Sequence, residues 1–419
     1  MSMSCREYKL SRRAMLGATG ATMLGFQIRD LLAFAGETGS QKAEHVILFW
    51  NGGGMTHLDT WDPKPGRPTQ GEFNPIDTSV PGIQISEIFP ELARQMHHCS
   101  LVRSIAGTQG AHGRATYNLQ TSYNQSANLI HPGFGSVVVH ERQKTGDLPP
   151  FITISGRARR ASYLGQSCEA YFVGAPGDKD PYLSFPEGIT KVRGDKRLET
   201  LAKFNNRFNG KNKSSKLQST QTAISDAVKL MRSPALKAFE LDRVPTAIIN
   251  RYGDTTFGRG ALLAKQLVET GVRFVQVNRG GFDTHSNNFP AMTNHGAIMD
   301  PALASLIEDL ADTGMLKKTL VIMLSEFGRT PRINDNAGRD HYPAVFSCFM
   351  AGGGIKGGQV IGSSDEDGYQ PKDRPVQVAD LHASFCHSLG IDHNKEVMTP
   401  LQRPMKLVDN GSPVKELFA

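Results

Sequence analysis

The sequence predicts an α/β fold with a mainly parallel central sheet covered on both faces. Short apolar runs of strand length recur at 45–50, 101–105, 151–154, 273–278, 320–324 and 345–351. Helical patterns separate them, and strands that alternate with helices pair in parallel with helices on either face. Polar, glycine-rich clusters follow the runs, the pattern expected where strand ends open onto one edge of a sheet. A chain of 419 residues with 39% hydrophobic content can bury such a core.

Each helical element has a local reason. Residues 85–98 carry Ile85, Ile88, Phe89, Leu92 and Met96 as a helical stripe. Residues 257–270 follow Thr255 and Thr256, whose hydroxyls suit an N-cap. Residues 295–312 place Ile298, Leu303, Leu306, Ile307 and Leu310 at helical spacing, and 376–389 end at Gly390, a C-cap residue. Residues 194–219 are polar and basic. They are expected to form an exposed insertion or linker, leading into a helical region from about 221. Residues 362–374 are expected to be a loop. One domain then spans 36–419.

The net charge of +7 is dispersed, with no run of five or six basic residues and no basic–aromatic interleaving, so a nucleic-acid partner is not expected. The N-terminus carries Ser11, Arg12, Arg13, a mildly apolar glycine-containing run, and Ala33-Phe34-Ala35 as a small-x-small site. This pattern predicts a twin-arginine export segment over 1–35 rather than a transmembrane span, which needs about 20 apolar residues. Its removal takes away five basic and two acidic residues and lowers the net charge from +7 to +4. An exported protein, periplasmic or extracellular, is expected. Outside that segment the cysteines are Cys99, Cys168, Cys348 and Cys386, with no C-x-x-C. A zinc ribbon is therefore excluded, and Cys99, Cys348 and Cys386 have the apolar surroundings of core residues.

Four polar clusters stand at the ends of apolar runs. The first runs from Asn51 through Gly52, Gly53 and Gly54 to Asp59 and Asp62, without the Gly-Lys-Ser/Thr of a P-loop. The second, around Gly110, His112, Arg114 and Thr116, opens a helix, whose free N–H groups attract anions. The third holds Asp283 and His285. The fourth begins at Glu326, which directly follows the apolar TLVIML run, and continues to Arg339, Asp340 and His341. Carboxylates and imidazoles gathered after parallel strands converge on one edge. Mixed oxygen and nitrogen donors suit a divalent metal ion: zinc, manganese, magnesium or calcium.

The stretches GGMTHLDTWDPKPG, VPGIQISEIFPELARQM, GAHGRATYN, GGFDTHSNNFPA, SEFGRTPRIN, GRDHYPAVFSCFMAGGGIKGGQVIG and DRPVQVADLHASFCHSLGI resemble the domain-of-unknown-function 1501 family over about 45–392. That family resembles the alkaline phosphatase-like superfamily of sulfatases, phosphatases and phosphopentomutases. The resemblance implies a three-layer α/β/α sandwich with a metal site at the carboxyl edge of its sheet. It also implies roles by motif. Asn51 takes the place of the superfamily's first metal-binding Asp. Asp283 and His285 match a metal-binding pair, Glu326-Phe327 matches the later Asp-His pair, and His341 matches the last metal-binding or anion-binding His. His112 stands at the nucleophile's place, with Arg114 beside it and Thr116 one helical turn on. Neither Asn51 nor Phe327 matches a dimetal ligand, so one metal ion is expected rather than two.

The expected function is hydrolysis of sulfate or phosphate esters of a small molecule or polysaccharide. The expected metal ligands are Asn51, Asp283, His285, Glu326, Asp340 and His341, the catalytic groups His112, Arg114 and Thr116, and the anion-binding groups Arg329 and Arg339. The alternative is a non-catalytic, metal-stabilised envelope or binding protein on the same fold.

Overall fold

The computed structural model describes residues 43–142, 145–178, 188–212, 224–225 and 227–418. The twin-arginine segment expected over 1–35 lies outside them. The central strands are β1 His45–Asn51, β2 Cys99–Ala106, β3 Phe151–Ile154, β4 Tyr171–Val173, β5 Phe274–Arg279, β6 Thr319–Leu324, β7 Phe346–Ala351, β8 Gln359–Ile361 and β9 Val376–Gln377. Among the described residues they form one sheet in the order β8-β2-β7-β6-β1-β5-β3-β4, with β9 beside β2. β1 lies at its centre, parallel to β5 on one side and to β6 on the other. Every residue of β1 and β6 is buried, as the unbroken apolar runs require.

β7 differs from its neighbours: it runs antiparallel to both β2 and β6. Its first residue therefore lies at the edge where β1, β5 and β6 end. That reversal brings the segment leading into β7, which holds Asp340 and His341, to the same edge as the other clusters.

The main helices are α1 His112–Thr121, α2 Phe134–Glu141, α3 Thr256–Glu269, α4 Asn288–Asp312 and α5 Val378–Leu389. Alternate strand residues feed two cores. Ile47, Phe49, Val275, Val277, Val321 and Met323 pack with α3 and α4, through Ala261, Leu263, Leu303 and Leu306. Val46, Leu48, Phe274, Leu320 and Ile322 pack on the opposite face with α2 and α5, through Phe134, Val137, Leu381 and Phe385. The result is a three-layer α/β/α sandwich. Thr255 caps α3 by accepting from the Gly258 N–H at 3.0 Å, and Gly390 ends α5 with φ 66°.

Three sequence expectations are corrected. Residues 85–98 are not one helix: a short strand Gln84–Ser86 precedes a five-residue helix Pro90–Arg94 and a 3-10 turn Met96–His98. Pro90 explains this, because the residue before a proline is driven out of the helical region and proline suits the first helical position. The basic stretch 194–219, read as an exposed insertion or linker, overlaps a 22-residue helix, Lys191–Asn212, and residues 213–219 lie outside the described ones. Residues 362–374 carry a small hairpin, Ser363–Ser364 with Pro371–Asp373. The four cysteines among the described residues are free and buried. Among the described residues no helix is long and apolar enough to cross a membrane.

Candidate metal centre

Four loops at the carboxyl edge supply the cluster. The loop after β1 turns through Gly53 and Gly54, with φ 124° and 87°. A Cβ on Gly53 would strike the backbone of Phe282 and Asp283, and one on Gly54 would strike the Phe327 ring. The glycines thus let this loop pass between the ends of β5 and β6. Ser325 pins it: its Oγ donates to the Asn51 carbonyl at 2.6 Å and accepts from the Gly54 and Met55 N–H groups.

Glu326 answers for the carboxylate that follows β6. It is 3% exposed. Its Oε1 accepts from the Gly53 N–H and from His112 Nδ1, both at 2.8 Å, while Oε2 accepts from Ser325 Oγ at 3.1 Å. Glu326 therefore stands behind His112 and holds it. His112 is the first residue of α1, and its Nε2 lies 3.3 Å from Asp283 Oδ2. On the other side of Asp283, Oδ1 is 3.1 Å from both His285 Nε2 and His341 Nε2. Asp340 Oδ1 holds His285 Nδ1 at 2.7 Å, and the Gly110 carbonyl meets His341 Nδ1 at 2.9 Å. One ligand atom from each of His112, Asp283 and His341 lies within 4.8 Å of the others, a spacing that fits a metal ion.

Electrostatics follow from these contacts. Burial pushes the Asp283 carboxyl up, but hydrogen bonds from Arg329 and His341 outweigh it and hold the group well below the usual carboxylate range. His285 likewise holds Asp340 below its ordinary value.

The remaining predicted residues are placed as follows. Arg329 is fully buried, donates to the Gly53, Gly54 and Arg339 carbonyls, and reaches the cluster only through Asp283. Arg339 is corrected as an anion-binding group. All five of its donors are taken, by both Asp59 oxygens and the carbonyls of Thr69, Thr330 and Pro331. Asn51 is buried with its amide on Met55 Sδ, and no described contact joins its side chain to the cluster. Arg114 is exposed in the first turn of α1, and Thr116 is partly buried four residues beyond His112. Phe327 is fully buried, its ring 5.0 Å from His112 and 4.6 Å from His341, an apolar wall where the motif called for a ligand.

Two contributors went unread in the sequence. Ser325 stood inside the SEFGR stretch, and a hydroxyl directly before a buried carboxylate was the signal for it. The Gly110 carbonyl is backbone and leaves no trace in residue type.

A family model described as a protein of unknown function, DUF1501, matches residues 43–418. The chain belongs to the DUF1501 family. No curated protein matches it. Similarity of this DUF1501 chain to solved structures is at low identity. Ps i-CgsB is 10% identical, covering 84% of this chain and 73% of that one, with TM-score 0.41. Its complex with k-i-k-neocarrahexaose is 11% identical, with the same coverage and TM-score. The PsFucS1 sulfatase from Pseudoalteromonas sp. is 13% identical over 87% and 70%, with TM-score 0.37. The phosphonate monoester hydrolase SpPMH from Silicibacter pomeroyi is 11% identical over 90% and 77%, with TM-score 0.36.

Proposed function

We propose that this DUF1501 chain is an exported, metal-dependent hydrolase of sulfate or phosphate esters carried by a small molecule or polysaccharide. The observation that carries the reading is the meeting of His112, Asp283 and His341 at the carboxyl edge, beside the N-terminus of a ten-residue helix. A divalent metal ion held there would supply Lewis-acid polarisation and acidify a bound water. The chain's own groups do the rest. The free N–H groups at the start of α1 attract the ester's anionic end, and exposed Arg114 adds a guanidinium beside them. Ser325 Oγ is committed to the Asn51 carbonyl and to Glu326, so water is the attacking group in this reading. Thr116, one turn from His112, is the hydroxyl in reserve.

The test is elemental analysis of the purified protein, followed by a panel of aryl sulfates, phosphates and phosphonates. Turnover with about one equivalent of metal, lost in Asp283→Ala, is expected. A folded, metal-loaded protein that cleaves none of them would sink the proposal. The second reading, a metal-stabilised binding or envelope protein, would then lead. It is favoured by one feature, the Phe327 ring packed against two of the imidazoles.

A further inference from the structure

Three imidazoles in the cluster share one arrangement. In each, Nδ1 meets an oxygen that can only accept: Glu326 Oε1 for His112, Asp340 Oδ1 for His285 and the Gly110 carbonyl for His341. Such a partner requires a ring proton on Nδ1, and in a neutral ring that leaves the lone pair on Nε2. All three Nε2 atoms then face Asp283. Those of His285 and His341 are 3.0 Å apart, and each is 3.1 Å from Asp283 Oδ1. His112 Nε2 is 3.3 Å from Asp283 Oδ2, shielded from solvent and without a hydrogen-bond partner. Neutral rings would set these lone pairs against one another, a repulsion that a metal ion among them removes, as protons on the rings also would.

The spacing of His112, Asp283 and His341 and the local charge both match a metal ion. Ligand atoms of a tetrahedral zinc, with bonds of about 2.0–2.1 Å, sit roughly 3.3 Å apart. Asp283, Glu326 and Asp340 against the single guanidinium of Arg329 leave two negative charges around the three rings, which suits a dication. Calcium and magnesium take oxygen ligands, whereas imidazole suits zinc, cobalt and their neighbours.

We infer that His112, Asp283 and His341, with His285 adjoining at 3.0 Å from His341, form one centre that selects a zinc-class ion over calcium or magnesium, with Glu326 and Asp340 as positioning residues that fix the ring tautomers. This rests on the metal-dependent reading above and adds the ligand set, the class of ion and the roles of two carboxylates. It also moves His112 from the catalytic groups to ligation, and Glu326 and Asp340 from ligation to orientation. Carboxylate–histidine–metal relays of this kind contribute about 10–100-fold to metal affinity.

The experiment titrates the metal-stripped protein with cobalt(II), reading the visible d–d bands, alone and against excess calcium or magnesium. One equivalent is expected to give the intense bands of a four-coordinate nitrogen–oxygen site, displaced by zinc and not by calcium or magnesium. Asp340→Asn, at a surface residue, keeps the fold and is expected to weaken cobalt binding about 10–100-fold with altered bands. Glu326→Gln is expected to do the same, its folding checked by circular dichroism. Weak six-coordinate bands, displacement by calcium, or an Asp340→Asn protein with unchanged affinity and spectrum would overturn the inference. A protein that binds cobalt as described yet cleaves no ester would leave this inference standing and remove the hydrolase proposal.

Discussion

Asp59 with Arg339 and Asp283 with Arg329 are both carboxylate–guanidinium pairs in the loops at the carboxyl edge of the sheet, yet they are finished to different degrees. In the first pair both side chains are wholly buried, Arg339 spends every donor, and Asp59 also accepts from Thr56 and Asn288. In the second the guanidinium is just as buried, but the carboxylate is 48% exposed and faces the Nε2 atoms of three imidazoles. A buried polar network that is complete rigidifies its surroundings. One that ends on an exposed carboxylate is open to a ligand from outside the chain. The difference teaches that residue type did not separate framework from site here; hydrogen-bond completeness did.

The largest effect is expected where the network is closed. Arg339→Met leaves Asp59 buried with its charge uncompensated, and is expected to lower unfolding stability by about 3–5 kcal/mol in a urea titration. A loss below about 1 kcal/mol would break the comparison, because Arg339 would then be dispensable to the frame.

A third buried carboxylate sharpens it. Asp300, in α4, is bonded by the Glu91 and Leu92 N–H groups at 2.8 Å and by no side-chain cation. Burial pushes it from 3.8 up to about 6, against the pull of those two N–H groups. Between those values the unfolded chain has released the proton and the folded chain still holds it. Stability from this group therefore falls as pH rises from about 4 to 6 and is level outside that window, a total of about 3 kcal/mol. Asp300→Asn is expected to flatten that slope in unfolding curves taken across the window. An unchanged slope would mean that the two N–H groups already stabilise the ionised form.

The smallest effect is expected in the open cluster. Without metal, His285→Gln at its exposed position is expected to shift stability by under about 0.5 kcal/mol. With zinc present, the wild type should gain melting temperature that the variant does not, as ligand binding to the folded state requires. Equal melting points with and without zinc would place this cluster beside the Arg339 network as framework. Thr116→Val, in turn, is expected to leave ester turnover within about tenfold, and a loss of several orders of magnitude would make Thr116 the nucleophile.

The strands that carry the site were legible because VILFW and LVIML are unbroken apolar runs, and full burial on both faces demands them. Thr255 and Gly390 marked helix ends through local hydrogen bonding and backbone freedom. The positions of Asp283, His285 and His341 were legible as polar residues after such runs. What was not legible was orientation. Glu326 looked like a ligand because it follows a strand, yet its oxygens turn to Gly53, Ser325 and His112. Arg339 looked like an anion clamp because it lies between a glycine and Asp340, yet its partner is Asp59, far back in the chain.

By itself the sequence determined the layered α/β architecture, the edge at which polar groups gather and the family to which the chain belongs. Those rest on periodicity and local chemistry, which act over a few residues. Only the tertiary structure decided that β7 reverses direction, which carboxylate stands among the imidazole Nε2 atoms and which merely hold a ring, and that His112, Asp283 and His341 meet from three loops. Those depend on contacts between residues 55 to 231 positions apart, where a rotation about one side-chain bond changes which atom faces the site.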